Sequence, residues 1–281
     1  MFNLRPNILS RYIVRKKNKW VFILILLVFF IASTLMAFLY ITKDSYNIPI
    51  LMYHYVTDSD SAQAMHLPKE NFRRQIEYLK KNKYKFLTLD DVYQYKSQGR
   101  KFPRKSIVIT FDDGYENIYD NALPILKEYG AKGSVFVISS KIGVHGYLNK
   151  NELQKMAKSG VISVQAHTVN HKHLNKLKYE EQLFELENSK KSIEDIIEQK
   201  VDFICYPYGE YNKDTISAAQ KANYKLGFTI GPGITNIYSN NYELKRFPAL
   251  NDLDYIKEVI GVSRRSDFKY FVRRNFGVNI K

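Results

Sequence analysis

The chain has 281 residues, a formal net charge of +15, 45% hydrophobic and 14% aromatic residues, and a single cysteine. That apolar content excludes a disordered polypeptide and suffices for one large core or two small ones. The lone Cys205 excludes an internal disulfide, and the 22 Tyr and 17 Phe fit either a tyrosine-rich core or rings lining a surface or groove.

Residues 1–19 carry Arg5, Arg11, Arg15, Lys16, Lys17 and Lys19 with no acid, and Trp20 to Ile41 then runs 22 residues without a charge. At about 1.5 Å per residue this is roughly 33 Å of helix, enough to cross a hydrocarbon core and longer than the apolar region of a cleavable signal peptide. The expectation is a cytoplasmic basic segment (1–19), a transmembrane signal anchor (20–42) and an extracellular domain (43–281) held at the cell membrane, with Trp20 and Tyr40 at the interfaces. With the six N-terminal cations set aside, the remainder still carries +9. For an external domain, that charge suits anionic lipid or cell-wall polymer rather than nucleic acid, or else is a solvated basic face.

Ile48 to Val56 reads as a strand, Pro68 to Lys81 as a helix with an apolar stripe of Phe72, Ile76 and Leu79, and Asp90 to Ser97 as another helix. Ile107 to Phe111 is an unbroken apolar and β-branched run, the pattern of a strand covered on both faces. It ends on Asp112, Asp113 and Gly114. A helix near 117–129, a strand at 133–139, a helix at 151–158, a strand at 161–166 and the long helix Tyr179 to Gln199 follow. The remainder alternates again: strand 202–206, helix 213–223, strand 225–230, strand 243–250. Such alternation predicts parallel βαβ units, six to eight of them, in one barrel-like α/β domain. The last stretch, 263–281, pairs Phe268, Phe271, Val272 and Phe276 with four arginines and reads as a final packed helix or one lying against a membrane.

Acids at the carboxyl end of a buried strand occupy the face where α/β enzymes build their sites, although a pair such as Asp112 and Asp113 also serves to cap a helix. His167-Thr-Val-Asn-His171 follows another strand; two imidazoles four apart can share a cation, and a carboxylate would complete three protein ligands with a position left for water. Tyr206-Pro-Tyr-Gly209 ends a third strand and, alone, is only a turn.

Together these motifs resemble the polysaccharide deacetylase family, the carbohydrate esterases with a NodB homology domain, over most of residues 48–250. Thr110-Phe-Asp-Asp-Gly114, His167 to His171 and Tyr206-Pro-Tyr-Gly209 look like its three motifs. The resemblance implies a distorted (β/α) barrel that hydrolyses N- or O-acetyl groups. Asp113, His167 and His171 would hold a divalent metal, usually zinc; Asp112 would be the catalytic base, and the Tyr208 backbone N–H an oxyanion donor.

Two departures matter. No histidine follows His173 to supply the family's late general acid, and His54, in Leu51-Met-Tyr-His-Tyr55, is the replacement that the biofilm poly-β-1,6-N-acetylglucosamine deacetylases suggest. His54 otherwise reads as an interior histidine. Cys205 stands where many members have an arginine that orients the catalytic Asp, and Arg246 is the candidate substitute. His173, outside the motif, reads as structural. The implied substrate is a GlcNAc-containing polysaccharide, with peptidoglycan as the alternative and a polysaccharide synthase complex as a candidate partner; a non-catalytic binding module is the competing class.

Overall fold

The computed structural model describes residues 19–34, 44–58 and 65–276. The chain divides into a unit of residues 1–44 and a larger one of residues 45–281. In the first, residues 19–34 are helical and the apolar side chains from Trp20 to Ile31 stand exposed. The remainder of the expected 20–42 span lies outside the described residues, and among the described residues no helix is long and apolar enough to cross a membrane.

The larger unit is built on an eight-stranded sheet whose main path has seven parallel strands, β1 (Ile50–Tyr53), β2 (Ser106–Phe111), β3 (Gly133–Val137), β4 (Ile162–Ala166), β5 (Phe203–Cys205), β6 (Leu226–Phe228) and β7 (Phe247–Pro248), with the short strand Lys85–Phe86 pairing in parallel with the start of β2. They lie in the order β6-β5-β4-β3-β2-β1-β7. Between and after them run α1 (Lys69–Lys81), α2 (Leu89–Ser97), α3 (Leu123–Tyr129), α4 (Lys150–Ser159), α5 (Tyr179–Ile197), α6 (Lys213–Lys221) and α7 (Leu253–Phe276). All six residues of β2 are buried, which a strand needs when side chains cover both faces. Local chemistry sets the helix starts: Thr88 with Asp91, Asn149 with Glu152 and Asn212 with Thr215 form reciprocal capping boxes ahead of α2, α4 and α6.

Several boundaries differ from the sequence reading, each for a backbone reason. The expected strand 48–56 is interrupted at Pro49, which has no N–H for a ladder, and again at His54, after which Tyr55–Thr57 leaves β1 and pairs with His66–Pro68. The expected helix 117–129 opens with a π turn, Ile118–Ala122, and becomes α-helical only where Pro124, lacking a donor for the preceding turn, enters. The final helix starts ten residues earlier than expected, at Leu253, and buries Ile256, Val259 and Ile260; residues 277–281 lie outside the described residues.

The expected strand 243–250 is split between the two edges of the sheet. Leu244 N donates to Gly227 O and Leu244 O accepts from Thr229 N, so this end pairs with β6. Three residues on, β7 pairs with β1, and Ala249 N donates to Met52 O. One short segment thus bridges the first and last strands and turns the sheet into an incomplete barrel. Arg246 lies between these two attachments.

Candidate active site

The carboxyl ends of β1, β2, β4 and β5 meet at one rim, and each delivers a side chain singled out in the sequence. Asp112 N donates to Tyr53 O, so His54 and Asp112 leave adjacent strand ends side by side. Asp113 Oδ1 lies 3.4 Å from His167 Nε2 and 3.5 Å from His171 Nε2. One ligand atom from each of Asp113, His167 and His171 falls within 4.8 Å of the others, a separation that suits a shared divalent cation. The donor set fits: His167 Nδ1 is 2.8 Å from Cys205 O, so Nδ1–H donates to this carbonyl and Nε2 is the nitrogen turned to the triad. Burial opposes protonation of His167, but neighbouring Cys205, Asp113 and Asp112 together hold its pKa well above the ordinary range, so a cation would take the place of the Nε2 proton that Asp113 accepts. His171 is pushed down to about 4 by burial and by neighbouring His167, which keeps it neutral as a ligand must be. Burial opposes ionisation of Asp113, but the bond to His167 outweighs it and holds its carboxyl below the ordinary range.

A second trio, Asp112, His167 and Cys205, is equally compact, but its cation is already present. The Arg246 guanidinium, fully buried, donates from Nη1 to Asp112 Oδ1 and from Nη2 to Oδ2, both at 2.7 Å. Nη2 also lies 2.9 Å from Cys205 Sγ, and Nη1 donates to Thr110 Oγ1. The small Cys205 leaves room for this side chain to arrive from the closing segment. Burial alone would raise the Asp112 pKa; the guanidinium reverses that and holds the carboxyl far below the usual range.

The rim stores backbone strain at the same residues. Asp113 (φ 70°), Thr168 (φ 65°), His171 (φ 56°) and Tyr208 (φ 58°) are all left-handed without being glycine, each costing roughly 1–3 kcal/mol. Gly114 (φ 80°) favours glycine, because its backbone is left-handed and a Cβ there would lie 3.2 Å from Val137 Cγ1, which would have to give way. What holds the histidine loop in this shape is Glu185, 2% exposed on the inner face of α5. Its Oε2 accepts from Val169 N (2.9 Å) and Asn170 N (2.7 Å), and its Oε1 from Asn170 Nδ2 (2.8 Å). The sequence reading missed this residue, although an acid within the buried stripe of α5 was its signal. Glu185→Gln, which leaves an amide N–H facing backbone donors, is expected to weaken metal binding roughly 10–100-fold with the fold retained. Metal titration of the variant checks this, and unchanged affinity would mean that the loop keeps its shape unaided.

His54 is partly buried; burial holds its pKa below the ordinary imidazole value, and the opposite pull of Asp112 and Asp113 does not cancel it. Tyr208 occupies the tip of the 3-10 turn Pro207–Gly209. Gly209, with φ 66°, cannot be replaced there without a Cβ 2.4 Å from Ile230 N.

A parallel α/β barrel that gathers Asp-Asp-Gly, His-x-x-x-His and Tyr-Pro-Tyr-Gly at one rim has the architecture of polysaccharide deacetylases, and the polysaccharide deacetylase family model matches residues 99–227. The chain belongs to that family and is a hydrolase acting on amide bonds. It is similar to the Bacillus subtilis (strain 168) protein YxkH, with 36% identity over 205 residues, 73% of this chain and 72% of the relative. It is also similar to the poly-β-1,6-N-acetyl-D-glucosamine N-deacetylase of Staphylococcus aureus (strain MRSA252), at 32% over 212 residues, 71% of this chain and 73% of that one. Among solved structures, the Streptococcus pyogenes deacetylase PplD in complex with acetate matches with a TM-score of 0.72 and 31% identity, covering 76% of this chain and 98% of the other.

Proposed function

We propose that this polysaccharide deacetylase is a metal-dependent N-deacetylase of poly-β-1,6-GlcNAc, tethered by residues 20–42 with its domain outside the cell. The observation that carries the chemistry is the Asp113, His167 and His171 triad beside an Asp112 held by Arg246. The polymer rests on similarity to the S. aureus enzyme and on the His54 motif. The tether rests on the basic, acid-free residues 1–19 and the uncharged run after them.

Hydrolysis of an acetamide joins a water oxygen to the acetyl carbon, breaks the C–N bond and needs a proton on the departing nitrogen. When bound by the triad, a divalent cation supplies Lewis-acid polarisation of the acetyl carbonyl. Asp112, kept ionised by Arg246, accepts the proton that the attacking water gives up. The Tyr208 backbone N–H donates to the oxyanion, and its left-handed turn fixes the direction of that donor. His54, beside Asp112, hands a proton to the amine so that acetate and a free amino sugar part.

His54→Ala is expected to lower turnover by roughly 10²–10⁴ with metal content unchanged. Turnover equal to wild type would return His54 to the interior. The substrate is tested by measuring acetate freed from defined β-1,6-GlcNAc oligomers, peptidoglycan and chitin oligomers. Release from peptidoglycan alone would replace the proposed polymer with the cell wall; release from none would remove the catalytic assignment.

A further inference from the structure

Tyr208 enters the chemistry above only through its backbone, yet its side chain is the unusual part of the residue. The residue is 48% exposed. Its ring touches the triad directly, with the centroid 4.6 Å from that of His171 at an interplanar angle of 62°. Its back lies flat on His173, at 4.0 Å and 11°. His173 is fixed in turn, its Nδ1 lying 2.8 Å from Glu210 Oε2. The Glu210–His173 pair ties the loop after β4 to the loop after β5 behind the ring.

Energetics make this arrangement informative. Glycine or asparagine adopts φ 58° at lower cost than tyrosine, and a half-exposed residue gains little from burial, so neither the turn nor the core accounts for an aromatic here. Among the described residues, Tyr208 is the one exposed aromatic in ring contact with the triad. A β-linked GlcNAc ring carries its substituents around its equator and presents faces of C–H groups. These pack on a flat aromatic surface, and a surface immobilised beforehand binds with less ordering cost.

We propose that the Tyr208 ring is a stacking platform for a pyranose ring of the polymer beside the metal triad, with His173 and Glu210 as the positioning residues that hold it flat. This rests on the reading of the substrate as a GlcNAc polymer. His173, which reads as structural in the sequence, thereby gains a role in substrate affinity.

The test uses the full-length, metal-loaded protein and a β-1,6-GlcNAc oligomer. KM, kcat and equilibrium oligomer binding are measured for Tyr208→Ala, Tyr208→Phe, His173→Ala and Glu210→Gln, with metal affinity and thermal midpoint recorded for each. For Tyr208→Ala we expect KM and the binding constant to weaken roughly tenfold, by more than kcat falls. Tyr208→Phe, which keeps the face and removes the hydroxyl, is expected to bind as wild type does. His173→Ala and Glu210→Gln should weaken binding roughly threefold with metal affinity unchanged. Equal oligomer binding by wild type and Tyr208→Ala overturns the platform, as does a loss confined to kcat or a failure of Tyr208→Phe to rescue. Binding is read independently of turnover, so a wild-type protein that binds the oligomer without freeing acetate refutes the catalytic reading and leaves the platform standing. One that does neither refutes both.

Discussion

Asp113→Asn is expected to lose both the bound metal and acetate release, with turnover down roughly a thousandfold, the several kcal/mol that Lewis-acid stabilisation supplies. Asparagine is the informative choice because position 113 has φ 70°, a conformation that Asn tolerates, so the variant removes a negative charge without forcing the backbone to rearrange. Chelating the wild type should give the same loss, and adding back metal should restore the wild type but not the variant. Full turnover in the presence of chelator would show that the triad of Asp113, His167 and His171 is a hydrogen-bonded cluster and nothing more.

Arg246→Met is expected to carry the largest cost in stability. Asp112 is 1% exposed and receives both of its strong hydrogen bonds from this one guanidinium, so truncating Arg246 leaves a carboxylate buried without its cation. Breaking such a pair costs about 3–5 kcal/mol. The double variant Asp112→Asn with Arg246→Met, which buries no unpaired charge, should be more stable than Arg246→Met alone, although inactive. The sign of the pH dependence follows from the depressed folded-state pKa of Asp112. Its contribution is fully present above the ordinary carboxylate value near ~3.9 and is lost as pH falls below it toward the folded value. Denaturant titrations from pH 7 down to pH 3 should show a stability decline in the wild type that is shallower in the double variant. Identical slopes would mean that other carboxylates dominate acid unfolding.

How much of this site was legible in the sequence depends on how each residue reaches it. Asp112, Asp113, His167, His171 and His54 stand just past the ends of strands whose buried pattern is plain, and parallel strands put their carboxyl ends on one rim; their placement was therefore legible from linear spacing, while their roles came from the family resemblance. Arg246 was reachable only as a substitute for the arginine missing at position 205. The two-residue β7 has no periodicity to read, and that Arg246 reaches Asp112 depends on how the short bridge from Leu244 to Ala249 crosses between β6 and β1. Glu185 was hidden for a different reason. Its acceptors meet backbone N–H groups, which carry no sequence signature, and only its place among Gln182, Leu186, Ser189, Ile193 and Ile197 on the buried side of α5 betrays it. The break at Pro49 in the first strand and the π turn before Pro124 likewise follow from single prolines whose effect on boundaries is local.

Closing the barrel with the segment that brings Arg246 has a consequence for biosynthesis. A ribosome-bound chain that has emerged only through residue 230 already contains both aspartates, both histidines and Tyr208, yet it has no guanidinium for Asp112 and no bridge from β6 to β1. Until the last strand threads into place, the nascent domain keeps an open sheet edge and an uncompensated acid. Premature termination should therefore yield a clearance target for proteases rather than a weakened enzyme.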